Sequence, residues 1–295
     1  MKNTVFRGIG TAMITPLTET GVDYNQLARL IEFQIENGVN ALIAVGTTGE
    51  SATLTPQERR EVIRFTVERA AGRVPVVAGT GTNNTEHVLE FTRAACGDGA
   101  DAVLVVTPYY NKATQGGLIA HYTAVADVSD KPVILYNVPS RTGCNLLPAT
   151  CARLADHPNI CAVKEASGNM AQVTELAALA GDRLDIYSGE DGLTVPIMSV
   201  GGIGCISVAS NVAPREMVSM TDRFFAGDIQ GSARMQLKLL PLIHALFSEV
   251  NPIPVKAAMA AMGFCENRVR MPLTPMEPEH ERVLLEQMRK LGVIR

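Results

Sequence analysis

Short apolar runs alternate with longer stretches of helical periodicity about eight times before the chain turns wholly helical. The runs are Gly8 to Ile14, Ala41 to Val45, Val74 to Ala78, Ala102 to Val106, Pro132 to Tyr136, Ile160 to Val163, Leu184 to Tyr187 and Gly204 to Val208. Hydrophobicity that is continuous over so few residues marks a parallel strand buried on both faces. Between the runs lie helix signals. Asp23 opens a segment that carries Leu27, Leu30, Ile31 and Phe33 and stops near Gly38. Thr55-Pro56-Gln57-Glu58 opens another, with proline at its first position and a glutamate three residues after the cap, and Gly72 is its stop. Eight such units predict an α/β fold of the closed (β/α)8 kind, a TIM barrel. A doubly wound open sheet is the competitor, but it needs no eighth strand and carries a glycine-rich loop after its first. Here the first run leads into Thr15-Pro16.

Beyond Gly227 the strand pattern ceases, and Asp228 to Phe247, Pro254 to Met262 and Pro278 to Leu291 read as helices. The expected organisation is a barrel over residues 1–226 and a helical region over 227–295, whose apolar faces could cover the barrel or another subunit.

The chain has 295 residues, 46% of them hydrophobic, enough to bury a large core. Its net charge of -4 and lack of a Lys/Arg cluster argue against a nucleic-acid partner. No apolar segment approaches the roughly 20 residues of a membrane span. The start, Met1-Lys2-Asn3-Thr4-Val5-Phe6-Arg7, has no apolar leader region. A cytoplasmic location without membrane contact is expected. The six cysteines show no Cys-x-x-Cys pair and read as small core residues in a reducing compartment. The five histidines show no metal-ligand spacing, so no metal is expected.

A barrel gathers its chemistry at the carboxyl ends of its strands, which singles out the residues just after each run. Lys164 closes Ile160-Cys161-Ala162-Val163, and of seven lysines it alone ends a run of buried-strand character. An ammonium held out of water loses hydration, which favours the neutral amine that attacks carbonyls. Two readings stay open at this residue: a Schiff-base lysine, or an ion pair with Glu165 or another carboxylate. Gly46-Thr47-Thr48-Gly49-Glu50-Ser51, after the second run, offers hydroxyls and backbone N–H groups to a carboxylate, or is a capping turn of small residues. Tyr109 and Tyr110 follow the fourth run and Tyr136 ends the fifth, so three of six tyrosines fall at one rim. Phenols there can relay protons, or simply pack around the mouth. Arg141, on the loop Asn137 to Gly143, is surface charge or a clamp for a carboxylate. Gly79-Thr80-Gly81-Thr82-Asn83-Asn84 reads mainly as a shaped turn, and Gly201-Gly202-Ile203-Gly204 as a helix end on the opposite face.

Taken together these residues resemble the dihydrodipicolinate synthase family, also called 4-hydroxy-tetrahydrodipicolinate synthase, among the pyruvate-dependent class I aldolases and lyases. The likeness spans nearly the whole chain. It rests on Gly46-Thr47-Thr48-Gly49-Glu50, Pro108-Tyr109-Tyr110-Asn111, Tyr136-Asn137-Val138-Pro139-Ser140-Arg141-Thr142-Gly143, Val163-Lys164-Glu165-Ala166-Ser167-Gly168 and Ser188-Gly189-Glu190-Asp191. The resemblance implies a lyase of the diaminopimelate route to lysine that condenses pyruvate with L-aspartate 4-semialdehyde. Lys164 forms the imine in that scheme, and Tyr136, Thr47 and Tyr110 relay protons, with Tyr110 reaching into a neighbouring subunit. Thr48 and the backbone of Ile206 hold the pyruvate carboxylate, Arg141 binds that of the semialdehyde, and Gly189 lines the site. No cofactor is implied, and a homotetramer built as a dimer of dimers is.

Arg141 and Thr47 favour the synthase over the runner-up, a pyruvate-releasing sugar-acid aldolase of the N-acetylneuraminate lyase or 2-keto-3-deoxy-acid type. That branch has serine at the position of Thr47 and generally lacks the arginine. A non-catalytic keto-acid sensor is disfavoured because Lys164, Tyr136, Thr47 and Tyr110 are all present. The family's lysine effector pocket maps onto Ser51, Ala52, Pro56, Arg59, Asn83, His87 and Tyr109. Pro56, Arg59 and His87 replace its histidines and glutamate. Without that carboxylate, and with Arg59 adding like charge, weak or absent lysine feedback is expected.

Overall fold

The computed structural model describes residues 3–295; Met1 and Lys2, on which part of the reading of the chain's start rests, lie outside them. Eight parallel strands close on themselves in chain order, the first pairing with both the second and the eighth. They are β1 (Gly8–Ala12), β2 (Ala41–Ala44), β3 (Val76–Gly79), β4 (Ala102–Val106), β5 (Val133–Asn137), β6 (Ile160–Glu165), β7 (Asp185–Ser188) and β8 (Gly204–Ser207). Around them run α1 (Tyr24–Glu36), α2 (Pro56–Ala70), α3 (Thr85–Gly97), α4 (Gln115–Val128), α5 (Pro139–Thr142), α6 (Pro148–Leu154), α7 (Met170–Ala180), α8 (Thr194–Ser199) and α9 (Pro214–Phe225). Three more helices follow, α10 (Ile229–Leu246), α11 (Ile253–Ala261) and α12 (Pro278–Lys290). Among the described residues no helix is long and apolar enough to cross a membrane.

The helix ends follow the local chemistry. Asp23 accepts from the Gln26 N–H at the start of α1. Thr55 and Glu58 form a reciprocal capping box on α2. Arg141, expected on a loop, instead lies in the single turn α5, because Pro139 at the first position of that turn is already set to helical φ.

Every strand is buried on both faces, and side chains alternate between two cores. Leu42 and Ala44 of β2 join the layer under the helices, whereas Ala41 and Ile43 fill the barrel. One irregularity matters for chemistry. On β6, Val133 pairs with Ile160 but Ile134 pairs with Ala162, so Cys161 is an extra residue. Ile160 therefore belongs to the outer core while Ala162 belongs to the inner one. The bulge flips the alternation, and Lys164, in phase with Ala162, points into the barrel.

The barrel's amino end is stoppered. The Phe6 ring stacks on Tyr187 with centroids 4.3 Å apart, and the Tyr187 hydroxyl donates to the Phe6 carbonyl at 2.6 Å. Gly10 makes this possible, since a β-carbon there would lie 2.7 Å from the Phe6 ring.

Candidate active site

At the carboxyl end the strands surround a cavity of about 600 Å³ whose wall includes Lys164, Tyr136, Thr47, Thr48, Arg141 and Gly189. The register of β5, β6 and β7 places Tyr136 beside Lys164 and Lys164 beside Tyr187. Lys164 is 6% exposed, and its Nζ lies 4.3 Å from the centroid of the Tyr136 ring. Gly189 leaves the space the lysine occupies, because a β-carbon there would sit 3.0 Å from both Cγ and Cε of Lys164.

The ion pair between Lys164 and Glu165 is not formed. Glu165 points to the outer layer, where it accepts from Asn137 Nδ2 at 3.0 Å and from the Ser167 N–H at 2.7 Å. Adjacent strand residues face opposite sides, so the two charges are kept apart. The carboxylate that Lys164 does influence is Asp191, wholly buried after β7. Burial raises the Asp191 carboxyl, while the Ser207 hydroxyl, the Ala209 and Val208 N–H groups at 3.1 and 3.0 Å and, least, the charge of Lys164 oppose that rise.

The turn after β2 is strained and braced. Val45 and Glu50 hold φ of 56° and 57°, a region that side chains rarely adopt and that a β-branched residue strongly disfavours. Thr47 and Thr48 sit between them. Glu50 is fixed by Lys256 of α11, whose Nζ donates to Glu50 Oε1 at 2.7 Å and to the Thr15 and Arg268 carbonyls. The Arg270 N–H donates to the other Glu50 oxygen at 3.0 Å. Lys256 is thus a structural lysine, buried together with its ion-pair partner. Asn251, on the segment between α10 and α11, donates from Nδ2 to Thr48 Oγ1 at 3.0 Å, and its carbonyl accepts from Arg141 Nη2 at 3.2 Å.

Not every candidate converges. Tyr110 is 89% exposed with φ of 71° and does not line the cavity of its own chain. Ile206 is buried on β8 outside the cavity wall. Ser51, Ala52, Arg59 and Tyr109 line an adjoining cavity of about 270 Å³, whereas Pro56, Asn83 and His87 stand outside it. Arg59 is buried there; its guanidinium donates to the Ser51 and Gly79 carbonyls and lies 4.2 Å over the Phe91 ring. Burial pushes it down to about 10. Asp191 stands in the sequence reading only as the end of the motif Ser188 to Asp191, with no role, and Lys256 and Asn251 are not among its site candidates. Lys256 and Asn251 come from the helical region, which carries no strand-end signal.

A model of the dihydrodipicolinate synthetase family matches residues 5–291. The chain is 55% identical over 292 residues to a 4-hydroxy-tetrahydrodipicolinate synthase of Lachnoclostridium phytofermentans, covering 98% of this chain and 99% of the relative. The dihydrodipicolinate synthase structure from Thermotoga maritima superposes with a TM-score of 0.97 at 44% identity, over 99% of this chain and all of that one. A monomeric dihydrodipicolinate synthase variant gives the same score and identity over 98% of both chains. With the family's model spanning nearly its whole length, and a barrel that superposes on solved members end to end, the chain belongs to the dihydrodipicolinate synthetase family.

Proposed function

We propose that Lys164 condenses with the keto carbon of pyruvate, releasing water, and that the enamine formed from this imine attacks the aldehyde of L-aspartate 4-semialdehyde. Cyclisation through the semialdehyde's amine frees the lysine and the product. The activity is that of a 4-hydroxy-tetrahydrodipicolinate synthase, a carbon-oxygen lyase of the diaminopimelate route to lysine. One observation carries this reading: a buried amine, in no salt bridge among the described residues, at the base of a cavity whose wall supplies a phenol and a guanidinium.

In this reading Tyr136 passes protons at the reacting carbon, with Thr47 and a partner subunit's copy of Tyr110 completing the relay. Thr48 and the Ile206 backbone hold the pyruvate carboxylate, Arg141 clamps that of the semialdehyde, and Gly189 keeps the lysine's path clear. No cofactor takes part, because the imine itself is the electron sink. The barrel of residues 1–226 carries the chemistry and residues 227–295 brace it. The chain works in the cytoplasm as a tetramer of paired dimers.

Incubation with pyruvate and borohydride, followed by intact mass, tests the imine. An adduct that disappears in Lys164→Ala is expected, and no adduct in the wild type overturns the assignment. Turnover of 2-keto-3-deoxy acids with none of the semialdehyde would establish the sugar-acid aldolase instead.

A further inference from the structure

We propose that Asn251 is a positioning residue that aims the Thr48 hydroxyl at the pyruvate carboxylate; this rests on the pyruvate reading above. A threonine hydroxyl has one proton to give and lone pairs to receive. Asn251 Nδ2 donates to Thr48 Oγ1, and that is the hydroxyl's one side-chain partner among the described residues. The lone pair facing the helical region is therefore filled, and among the described residues the Thr48 proton has no acceptor. Thr48 lines the main cavity, so the proton is free for an anion bound there.

The amide holds this orientation at a cost. Asn251 is 6% exposed, and its Oδ1 is buried without a hydrogen-bond partner. A buried polar atom left unmatched is unfavourable, and such sites call for an explanation. Turning the amide over would let Oδ1 accept the Thr48 proton, and the donor for the carboxylate would be lost. The backbone of the same residue serves the other substrate group, since its carbonyl accepts from Arg141 Nη2. Changing the Asn251 side chain leaves that second contact in place.

The two roles separate cleanly in Asn251→Asp and Asn251→Ala. A carboxylate cannot donate to Thr48; it draws the hydroxyl proton to itself and repels the pyruvate carboxylate. An alanine merely frees the hydroxyl to rotate. Pyruvate binding is therefore harmed more by aspartate, the closer match in shape, than by alanine. If Asn251 only fills space, the order reverses. A hydrogen bond to a charged group is worth enough that the aspartate variant raises the half-saturating pyruvate concentration about tenfold or more. The semialdehyde KM should stay within about twofold, and kcat should fall less than kcat/KM for pyruvate.

The measurement is the pyruvate dependence of borohydride trapping, with steady-state kinetics on the same proteins. In a Thr48→Val background the Asn251 substitutions should add little to the pyruvate constant. A wild type that traps no adduct refutes the imine reading. A wild type that traps, with alanine harmed more than aspartate or with additive losses in the double variant, refutes the role of Asn251 alone. Should the aspartate variant not fold, the cycle of Asn251→Ala with Thr48→Val decides by the same additivity.

Discussion

Lys256 Nζ and Glu50 Oε1 meet at 2.7 Å with both side chains shut away from solvent. The pair spans the helical region and the turn that presents Thr47 and Thr48, so it couples packing outside the barrel to geometry within it. Removing one partner leaves an uncompensated buried charge. Lys256→Met is expected to lose about 3–5 kcal/mol of stability, read by urea unfolding. Lys256→Met combined with Glu50→Gln should lose less than the single change, and equal losses would contradict this account.

His121 gives the protein an acid-sensitive component. It is 5% exposed on α4, its Nδ1 is 3.0 Å from Thr85 Oγ1 and its Nε2 has no partner. Burial lowers its pKa from 6.5 to about 4. In that window the unfolded chain takes up a proton that the folded chain refuses. The contribution is therefore fully present above pH 6.5 and is lost as the pH falls toward about 4. It amounts to roughly 3 kcal/mol at 1.36 kcal/mol per pH unit. His121→Phe should flatten the fall in unfolding free energy over that range, and an unchanged slope would assign it to other groups.

L-lysine should leave the rate unchanged through the micromolar range. The Arg59 guanidinium is buried and held by the Ser51 and Gly79 carbonyls, and on the mapping that the family resemblance implies it would put a cation beside the ligand's ammonium. Joining Arg59→His with His87→Glu removes that cation and adds a carboxylate, and the pair is expected to raise sensitivity. Micromolar inhibition of the wild type in an initial-rate titration sinks this prediction.

Tyr110, almost fully exposed on its own chain, invites a subunit-mixing test. Lys164→Ala and Tyr110→Phe subunits are each expected to be nearly inactive. Mixed and reassembled, they should recover part of the activity, because one site in a hybrid receives both wild-type residues. No recovery in hybrids confirmed by native mass measurement would place the tyrosine's role within its own chain.

The barrel was legible because each strand carries a short, mostly apolar run, and the motif residues because strand ends are marked by the same runs. Lys164 was found by position, yet its inward direction was not readable. Simple alternation from Ile160 puts residue 164 on the outer face, and only the bulge at Cys161 reverses this. Glu165 was the nearest carboxylate in sequence and faces away in space. Asn251 and Lys256 lie more than two hundred residues from Thr48 and Glu50, their respective partners. Nothing local in the helical region announces such long-range contacts.

The stacked Phe6 and Tyr187 rings turn the barrel from a tube into a cup. With one end stoppered, both reactants, the water released at imine formation and the product must all share a single doorway. In the imine mechanism proposed above, the molecule that condenses with the lysine enters first, and the second arrives above it. In the proposed mechanism the order of addition is thus a matter of plumbing, set by an aromatic bung whose Tyr187 pairs in register with the lysine itself.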